Sequence, residues 1–403
     1  MSYARKEWAP EAQGPLRGLR VVDLSRLVAG NMLTLQLADF GADVVKVEPP
    51  EGDPLRAWQE EGLSLFWAVY GRNKRSVALD LRRDPDRAAL WALIDGADAL
   101  VESYRPGTLE AMGYAPSALL ARNPDLVVVR ISGFGQTGPY AGLPGFGTLV
   151  EGMSGYAHRS GFPDREPVLP PIALADMIAG LQGAMAVLVA LRARDQGLAR
   201  GQVIDLSLLE PIFATLGPEA AIHALTGNVK GRMGSASNTA SPRNVYACAD
   251  GRFVSLSGST PGAARRIFEV IGRPEMNDDP RFATNAARLA HRDLVDGALR
   301  DWFAGRDRDA ALAQMRGAGA TVGPIYSIAD VAEDPHFRER EVIVTLDDPD
   351  LGPVPTHSVA PRLDATPGTL RRPAPRLGEH AREVLAEAGL DEAAIAAVLG
   401  ARP

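Results

Sequence analysis

Apolar residues in the first half of this chain fall into short unbroken runs separated by stretches of helical spacing. Leu19-Arg-Val-Val-Asp-Leu, Gly41-Ala-Asp-Val-Val-Lys-Val-Glu, Ser76-Val-Ala-Leu-Asp-Leu, Ala97-Asp-Ala-Leu-Val-Glu and Leu126-Val-Val-Val-Arg-Ile read as strands. Residues 32–40 and 85–94, and short stretches opening at Pro106 and Pro116, read as the helices between them. Strands that are apolar in runs belong to a sheet covered on both faces, which for alternating strands and helices means a parallel sheet. The expected class is α/β with a Rossmann-like parallel sheet, and ligands of such sheets bind at the carboxyl ends of the strands.

Residues 169–191 break this rhythm. From Met177 to Leu191 the one polar side chain is Gln182, so the segment is apolar all round and reads as a helix buried in protein. It is too short and interrupted to span a bilayer. Its one acid, Asp176, stands where the Pro170-Pro171 turn gives way to the helix. Taken alone, that position reads as a helix cap, since an acid there satisfies orphan backbone N–H groups and suits the positive end of the helix dipole. The alternative is a nucleophile or base held at the mouth of a site by a rigid element.

Further along, Arg200-Gly-Gln-Val-Ile-Asp-Leu-Ser reads as a strand leading into a helix that runs past Pro211, after which composition changes. Residues 227–244, rich in Gly, Ser, Asn and Thr, read as a mobile loop; a hairpin follows around Asp250-Gly251, then helices over 262–271, 285–303 and 307–318. The domains expected are a tail at 1–15, a large domain at 16–210, a linker at 211–224, a small α+β domain at 225–327, and a return segment at 328–403. That last segment is extended and proline-rich and closes with alanine-rich helices that pack back on the large domain.

Composition narrows the function. The chain has 403 residues, 46% of them hydrophobic, and a formal net charge of −7, which suits a soluble globular protein and argues against nucleic acid as its main partner. A single cysteine, Cys248, excludes an internal disulfide, and the first residues lack the apolar core of a signal peptide, so a cytoplasmic protein without membrane association is expected. The six histidines lack ligand spacing, and no metal site is expected.

Two groups of residues carry possible chemistry. Gly133-Phe-Gly-Gln-Thr-Gly138 formally matches a dinucleotide fingerprint, but the chain continues Pro139-Tyr-Ala-Gly-Leu-Pro-Gly, where the required helix cannot begin. A nicotinamide or flavin enzyme is rejected on that ground; what remains is a glycine-rich loop that lets a ligand approach the backbone closely. The second group is basic: Arg72, Lys74 and Arg75 before one strand, Arg82 after it, and Arg105 in Glu102-Ser-Tyr-Arg-Pro-Gly. At strand ends of an α/β sheet these residues suit phosphates, with a solvated face as the plain alternative.

Together these segments resemble the class III coenzyme A transferases, the CaiB/BaiF family that includes formyl-CoA transferase and carnitine CoA-transferase. The resemblance runs from about residue 16 to 399 and is carried by Leu19-Arg-Val-Val-Asp-Leu, Phe40-Gly-Ala-Asp-Val-Val-Lys-Val-Glu-Pro-Pro, Asn73-Lys-Arg-Ser-Val-Ala-Leu-Asp-Leu, Gly133-Phe-Gly-Gln-Thr-Gly-Pro, Ala175-Asp-Met-Ile-Ala-Gly, Gly201-Gln-Val-Ile-Asp-Leu-Ser and Leu377-Gly-Glu-His. It implies that Asp176 is the nucleophile, attacking an acyl-CoA to give an aspartyl-acyl anhydride and then an aspartyl-CoA thioester, which an acceptor acid resolves. It implies CoA contacts at Arg26, Leu27 and Val28, around Leu79 to Arg82, and at Ser103, Tyr104 and Arg105, with CoA as substrate and no tightly bound cofactor. It further implies a lid or substrate role for Gly133, Phe134, Gly135 and Phe146, and an interlocked homodimer of two threaded chains.

The sequence departs from formyl-CoA transferase in four contact positions. Val28, Pro49, Ala111 and Pro144 stand where that enzyme has a glutamine, two arginines and a lysine, and its run of four glycines is replaced by Gly234-Ser-Ala-Ser-Asn-Thr-Ala-Ser. Formate and oxalate are therefore not the expected substrates, and Arg72, Lys74 and Arg75 become candidates for the missing phosphate contacts. Arg243 is a candidate for the distal carboxylate of a dicarboxylic acyl group such as succinyl. Two other readings stay open: an α-methylacyl-CoA racemase, which needs a histidine where this chain has Phe146, and a CoA-binding protein without turnover.

Overall fold

The computed structural model describes residues 3–400 and divides into two compact units. One comprises the chain up to Ala157, Leu169–Val229 and the chain from Pro335; the other comprises His158–Val168 and Lys230–Asp334.

In the first unit β1 (Arg20–Asp23), β2 (Asp43–Glu48), β3 (Lys74–Ala78), β4 (Ala99–Glu102), β5 (Val127–Ser132) and β6 (Gln202–Ser207) form a six-stranded sheet in the order β3-β2-β1-β4-β5-β6, parallel throughout. Strand order reverses between β1 and β4, and in a doubly wound sheet the crevice for a ligand opens at the carboxyl ends of such a pair. Adjacent residues on each strand serve opposite cores. Val21, Val44, Ala99, Val127 and Val129 pack with α1 (Ala29–Asp39) and with a long helix over Leu174–Asp195. Val22, Val45, Leu100 and Val128 face a helix over Asp84–Asp95 and the C-terminal helices Ala381–Glu387 and Glu392–Leu399. The expected parallel α/β sheet is thus present, its strands all drawn from residues 20–207 and the C-terminal segment adding helices to one face.

The two helices on the first face lie against each other through glycines. A Cβ on Gly180 would come within 2.8 Å of the Ala29 carbonyl oxygen and of Met32, and one on Gly183 within 2.5 Å of Leu33. The long helix, α2 here (Leu174–Asp195), buries Ala175, Ala179, Gly180, Gly183, Ala184 and Val187 but exposes Leu181, Met185, Leu188 and Val189. It is therefore buried on one face rather than all round: small residues make the core contact, and the large apolar ones point away. Its N-cap is Ala173, with Asp176 inside the first turn. Asp176 is therefore not the N-cap residue, although its carboxylate still meets backbone N–H groups at the helix start. Among the described residues α2 is the one helix apolar and long enough to cross a membrane, but its glycine-alanine face is committed to the sheet.

Ala4 and Arg5, in the stretch read as a tail, pair with Val344 and Thr345 of a hairpin formed by Ile343–Asp348 and Gly352–His357. The second unit has a three-stranded antiparallel sheet with Phe253–Ser257 in the centre, flanked by Arg243–Ala247 and by Thr321–Pro324. The last of these strands was not expected, and the helix expected over 285–303 is broken at His291 into Asn285–Ala290 and Arg292–Ala304. Residues 227–242 are irregular, as expected, but side chains hold their carbonyl oxygens: Arg243 bonds to Ser235 and Ala236, Arg292 to Ser237, Asn285 to Thr239 and Arg288 to Ser241.

Candidate active site

The turn after β1 is shaped from beneath by buried charge. Asp23 accepts hydrogen bonds from Ser25 and Thr34 and lies 3.3 Å from Lys46 and 3.4 Å from Lys74, all fully buried or nearly so. Lys46 also lies 3.0 Å from Asp53, whose carboxylate takes the Leu27 N–H at 3.0 Å and the Asn31 amide at 2.8 Å. Burial alone would raise Asp23 and Asp53, but the lysines and donors around them hold both carboxyls below the usual range. Burial brings Lys74 down to about 8, against the pull of Asp23. This network fixes Leu27 in the left-handed region at φ 62°, where a bulky residue stays only if its surroundings compel it. The chain then turns directly into α1.

At that junction the first N–H of α1, from Ala29, meets the carboxylate of Asp176 in the first turn of α2. Two helix N-termini thus converge on one acid. On the other side Gly147 opens α3 (Gly147–Met153), and a Cβ there would fall 2.1 Å from Asp176 Oδ2. Glu151 of α3 is buried and its Oε1 accepts the Ala175 N–H at 3.1 Å, one peptide before Asp176. Burial, and then the charge of Glu151, push the Asp176 carboxyl up to about 6, while the backbone donors act against the rise. A half-buried carboxylate with that basicity is still mostly ionised at neutral pH. It is more nucleophilic than an exposed aspartate.

Asp176 lines a cavity of about 440 Å³ with Arg26, Leu27, Ser103, Tyr104, Arg105, Gly133 and Phe146, all singled out from sequence. Ser132, Leu143, Pro144 and Leu208 complete much of its wall. Arg26 and Tyr104 are shared with a second cavity of about 250 Å³ over the ends of β1, β2 and β3, where Leu79, Arg82, Lys46 and Pro49 are found. The Ser103 hydroxyl accepts the Arg26 N–H at 2.9 Å and so ties together the loops after β1 and β4 at the point where strand order reverses. Gly133 and Gly145 touch backbone to backbone: a Cβ on Gly133 would come within 2.6 Å of the Gly145 Cα, so the loop between them closes on itself.

Other candidates lie elsewhere. Val28 is buried against Leu55 and Trp67. Phe134 packs on the core and edge-on to Tyr140, and Gly135 takes φ 93° with its N–H on Ser132. The phosphate role expected for Arg72, Lys74 and Arg75 is corrected. Arg72 is committed to Asp39 at 2.6 Å and to Thr356, Lys74 to Asp23 and Asn31, and Arg75 to Asp43 at 2.6 Å and Glu387 at 2.8 Å. Arg72 lies in the turn before a buried strand and Lys74 and Arg75 are its first two residues, and a buried cation needs an internal partner. Arg243 belongs to the second unit, where it holds two carbonyls of the 235–236 turn. Sequence reasoning missed Lys46, Asp53, Gly147 and Glu151. The one available signal was a glutamate in the otherwise apolar run Leu149-Val-Glu-Gly-Met.

Comparison with known proteins places the chain in a family. Residues 16–381 match CoA-transferase family III. The succinyl-CoA–D-citramalate CoA-transferase of Chloroflexus aurantiacus is 38% identical over 93% of this chain and 94% of its own length. The succinate–glutarate CoA-transferase of Agrobacterium fabrum is 36% identical over 94% of this chain and 96% of its own. A CaiB/BaiF family protein from Brucella suis has a crystal structure that superposes with a TM-score of 0.82 at 34% identity, covering 94% of this chain and all of that one. This chain is an enzyme and belongs to CoA-transferase family III.

Proposed function

We propose that this enzyme moves CoA from a dicarboxylic acyl-CoA, such as succinyl-CoA, to a carboxylic acid acceptor, with Asp176 as the covalent nucleophile. The observation that carries the reading is the placement of Asp176: half-buried, kept basic, and set in the wall of a cavity that adjoins a second cavity over the strand ends. The dicarboxylic donor is supported by the succinyl-CoA and succinate enzymes among its relatives.

The steps balance without a further reactant. An Asp176 carboxylate oxygen adds to the thioester carbonyl, the C–S bond breaks, and CoA leaves as thiolate from an aspartyl-acyl anhydride. The thiolate then attacks the aspartyl carbonyl and releases the donor acid. The acceptor carboxylate displaces CoA from the aspartyl thioester, and the thiolate attacks the acceptor side of the new anhydride, restoring Asp176. Each intermediate hydrolyses readily, so water must be kept out while the geometry is held. The Ala29 N–H, fixed by the network under the turn after β1, is a preorganised donor beside the reacting carboxyl. Arg26 and Arg105 supply positive charge in the cavity wall for CoA phosphates. Phe146 stands where a racemase would carry its second base, which favours transfer.

The exposed apolar stripe of α2, and the helix Glu219–Thr226 with no buried residue, support a homodimer in which a second copy covers them. Light scattering that gives a monomer would contradict that part of the reading.

The test is a panel of acyl-CoA donors and carboxylic acceptors followed by mass spectrometry, with hydroxylamine trapping at Asp176. Turnover of a dicarboxylic donor with hydroxamate at Asp176 is expected. Turnover without modification of Asp176 would contradict the mechanism.

A further inference from the structure

Glu151 has no part in the steps above, yet it is a buried carboxylate placed against the nucleophile's own helix turn. The N-terminus of α2 has no side-chain cap from its own N-cap residue, Ala173. The Ala175 N–H, one of the donors a helix start leaves unmatched, is met from another helix by Glu151 Oε1 at 3.1 Å. Glu151 is 2% exposed, and burying a carboxylate is costly unless its position returns something.

We propose that Glu151 is a positioning residue for Asp176: from a neighbouring helix its buried carboxylate holds the Ala175 N–H, fixes the first turn of α2 and sets a negative charge beside the attacking group. The inference rests on the reading of Asp176 as the nucleophile. The other charges near by are engaged. On the elements packed against α2, Asp39 pairs with Arg72, Arg130 with Glu102 and Glu110, Asp205 accepts the Gln136 N–H, and Glu210 takes the Ser207 hydroxyl. Arg192, Arg194 and Asp195 lie at the far end of α2, and Arg26 and Arg105 stand in the cavity wall. Glu151 is the charge that raises Asp176, after burial itself. A more basic carboxylate is a better nucleophile toward a thioester. The same neighbour holds the turn still, so basicity and aim come from one side chain.

The test separates these two effects. Glu151→Gln keeps an oxygen for the Ala175 N–H and removes the charge. The acid limb of kcat/KM, which reports the free enzyme, is expected to move down by on the order of one pH unit. The plateau kcat falls by roughly two- to five-fold and KM for acyl-CoA holds. Glu151→Asp keeps the charge but shortens the reach; its acid limb is expected to stay in place while kcat falls several-fold. An unmoved acid limb in E151Q, or a wild-type kcat in E151D, would overturn the inference. If E151Q does not fold, E151D decides alone by the same criterion. Asp176→Asn is assayed alongside. Its inactivity with an unmoved limb in E151Q sinks only the role of Glu151, whereas activity in D176N sinks the reading beneath it.

Discussion

Asp23 and Asp176 are two carboxylates of the same unit, one at the end of β1 and the other in the first turn of the helix packed against α1, and they are treated in opposite ways. Asp23 is enclosed by Lys46, Lys74, Ser25 and Thr34, which offset its burial and hold its carboxyl below the usual range. Asp176 is given backbone donors and Glu151, and its carboxyl rises to about 6. Charge pairing is spent on the scaffold that shapes the turn after β1. Asp176, the proposed nucleophile, is given backbone donors but no cation, which leaves its carboxyl basic.

The largest effect expected from breaking this contrast is at Asp176. D176N should lower turnover by about four orders of magnitude or more, measured as acyl-CoA exchange under saturating donor. The same variant should be more stable, by about 1–3 kcal/mol at neutral pH, in chemical denaturation. The sign follows from a folded carboxyl raised to about 6 against 3.8 for the free side chain. Ionisation in the folded state then opposes folding, not at all below 3.8, increasingly through that window and fully above about 6. D23N should do the reverse: it leaves Lys46 and Lys74 buried without their shared acid and should cost about 3–5 kcal/mol of stability.

A smaller effect tests the fit around Asp176. Gly147→Ala places a methyl where Asp176 Oδ2 now lies, and kcat should fall by roughly ten- to a hundred-fold with KM for acyl-CoA little changed. The smallest separates two arginines that look alike in sequence. Arg105→Ala should raise KM for acyl-CoA by roughly five-fold, an effect of about 1 kcal/mol that salt weakens. Arg75→Ala should leave KM alone and lower the thermal midpoint, because its partners are Asp43 and Glu387 rather than a ligand.

Much of this was legible in the sequence. The runs Val21-Val22, Val44-Val45 and Val127-Val128-Val129 announce strands buried on both faces, and the helices between them make the sheet parallel, though not its strand order. Arg26, Ser103 and Arg105 sit at loop positions where such a sheet opens, Asp176 sits at a helix start, and the cavity unites them. Basic residues at the start of a buried strand were misleading. Arg72, Lys74 and Arg75 have the composition of a phosphate site, but their use depends on carboxylates far away in sequence: Asp39 and Asp43, and Glu387 from the C-terminal helix. The exposed face of α2 was hidden for a related reason. Hydropathy does not distinguish small residues that touch a partner helix from large ones that do not, and Gly180 and Gly183 mark the contact only once Ala29 and Leu33 are seen beside them. Glu151 carried little signal, since a glutamate in a short helix is most often solvated.

The central claim, that Asp176 forms and breaks the bonds of transfer, has a direct isotopic test. An acceptor acid labelled with heavy oxygen in both carboxylate positions is turned over once, and the peptide containing Asp176 is weighed. If the acceptor attacks an aspartyl thioester and the thiolate then takes the acceptor acyl group, one labelled oxygen is left in the Asp176 side chain, and D176N takes up none. Transfer of CoA to the labelled acid with no heavy oxygen at Asp176 would contradict the account.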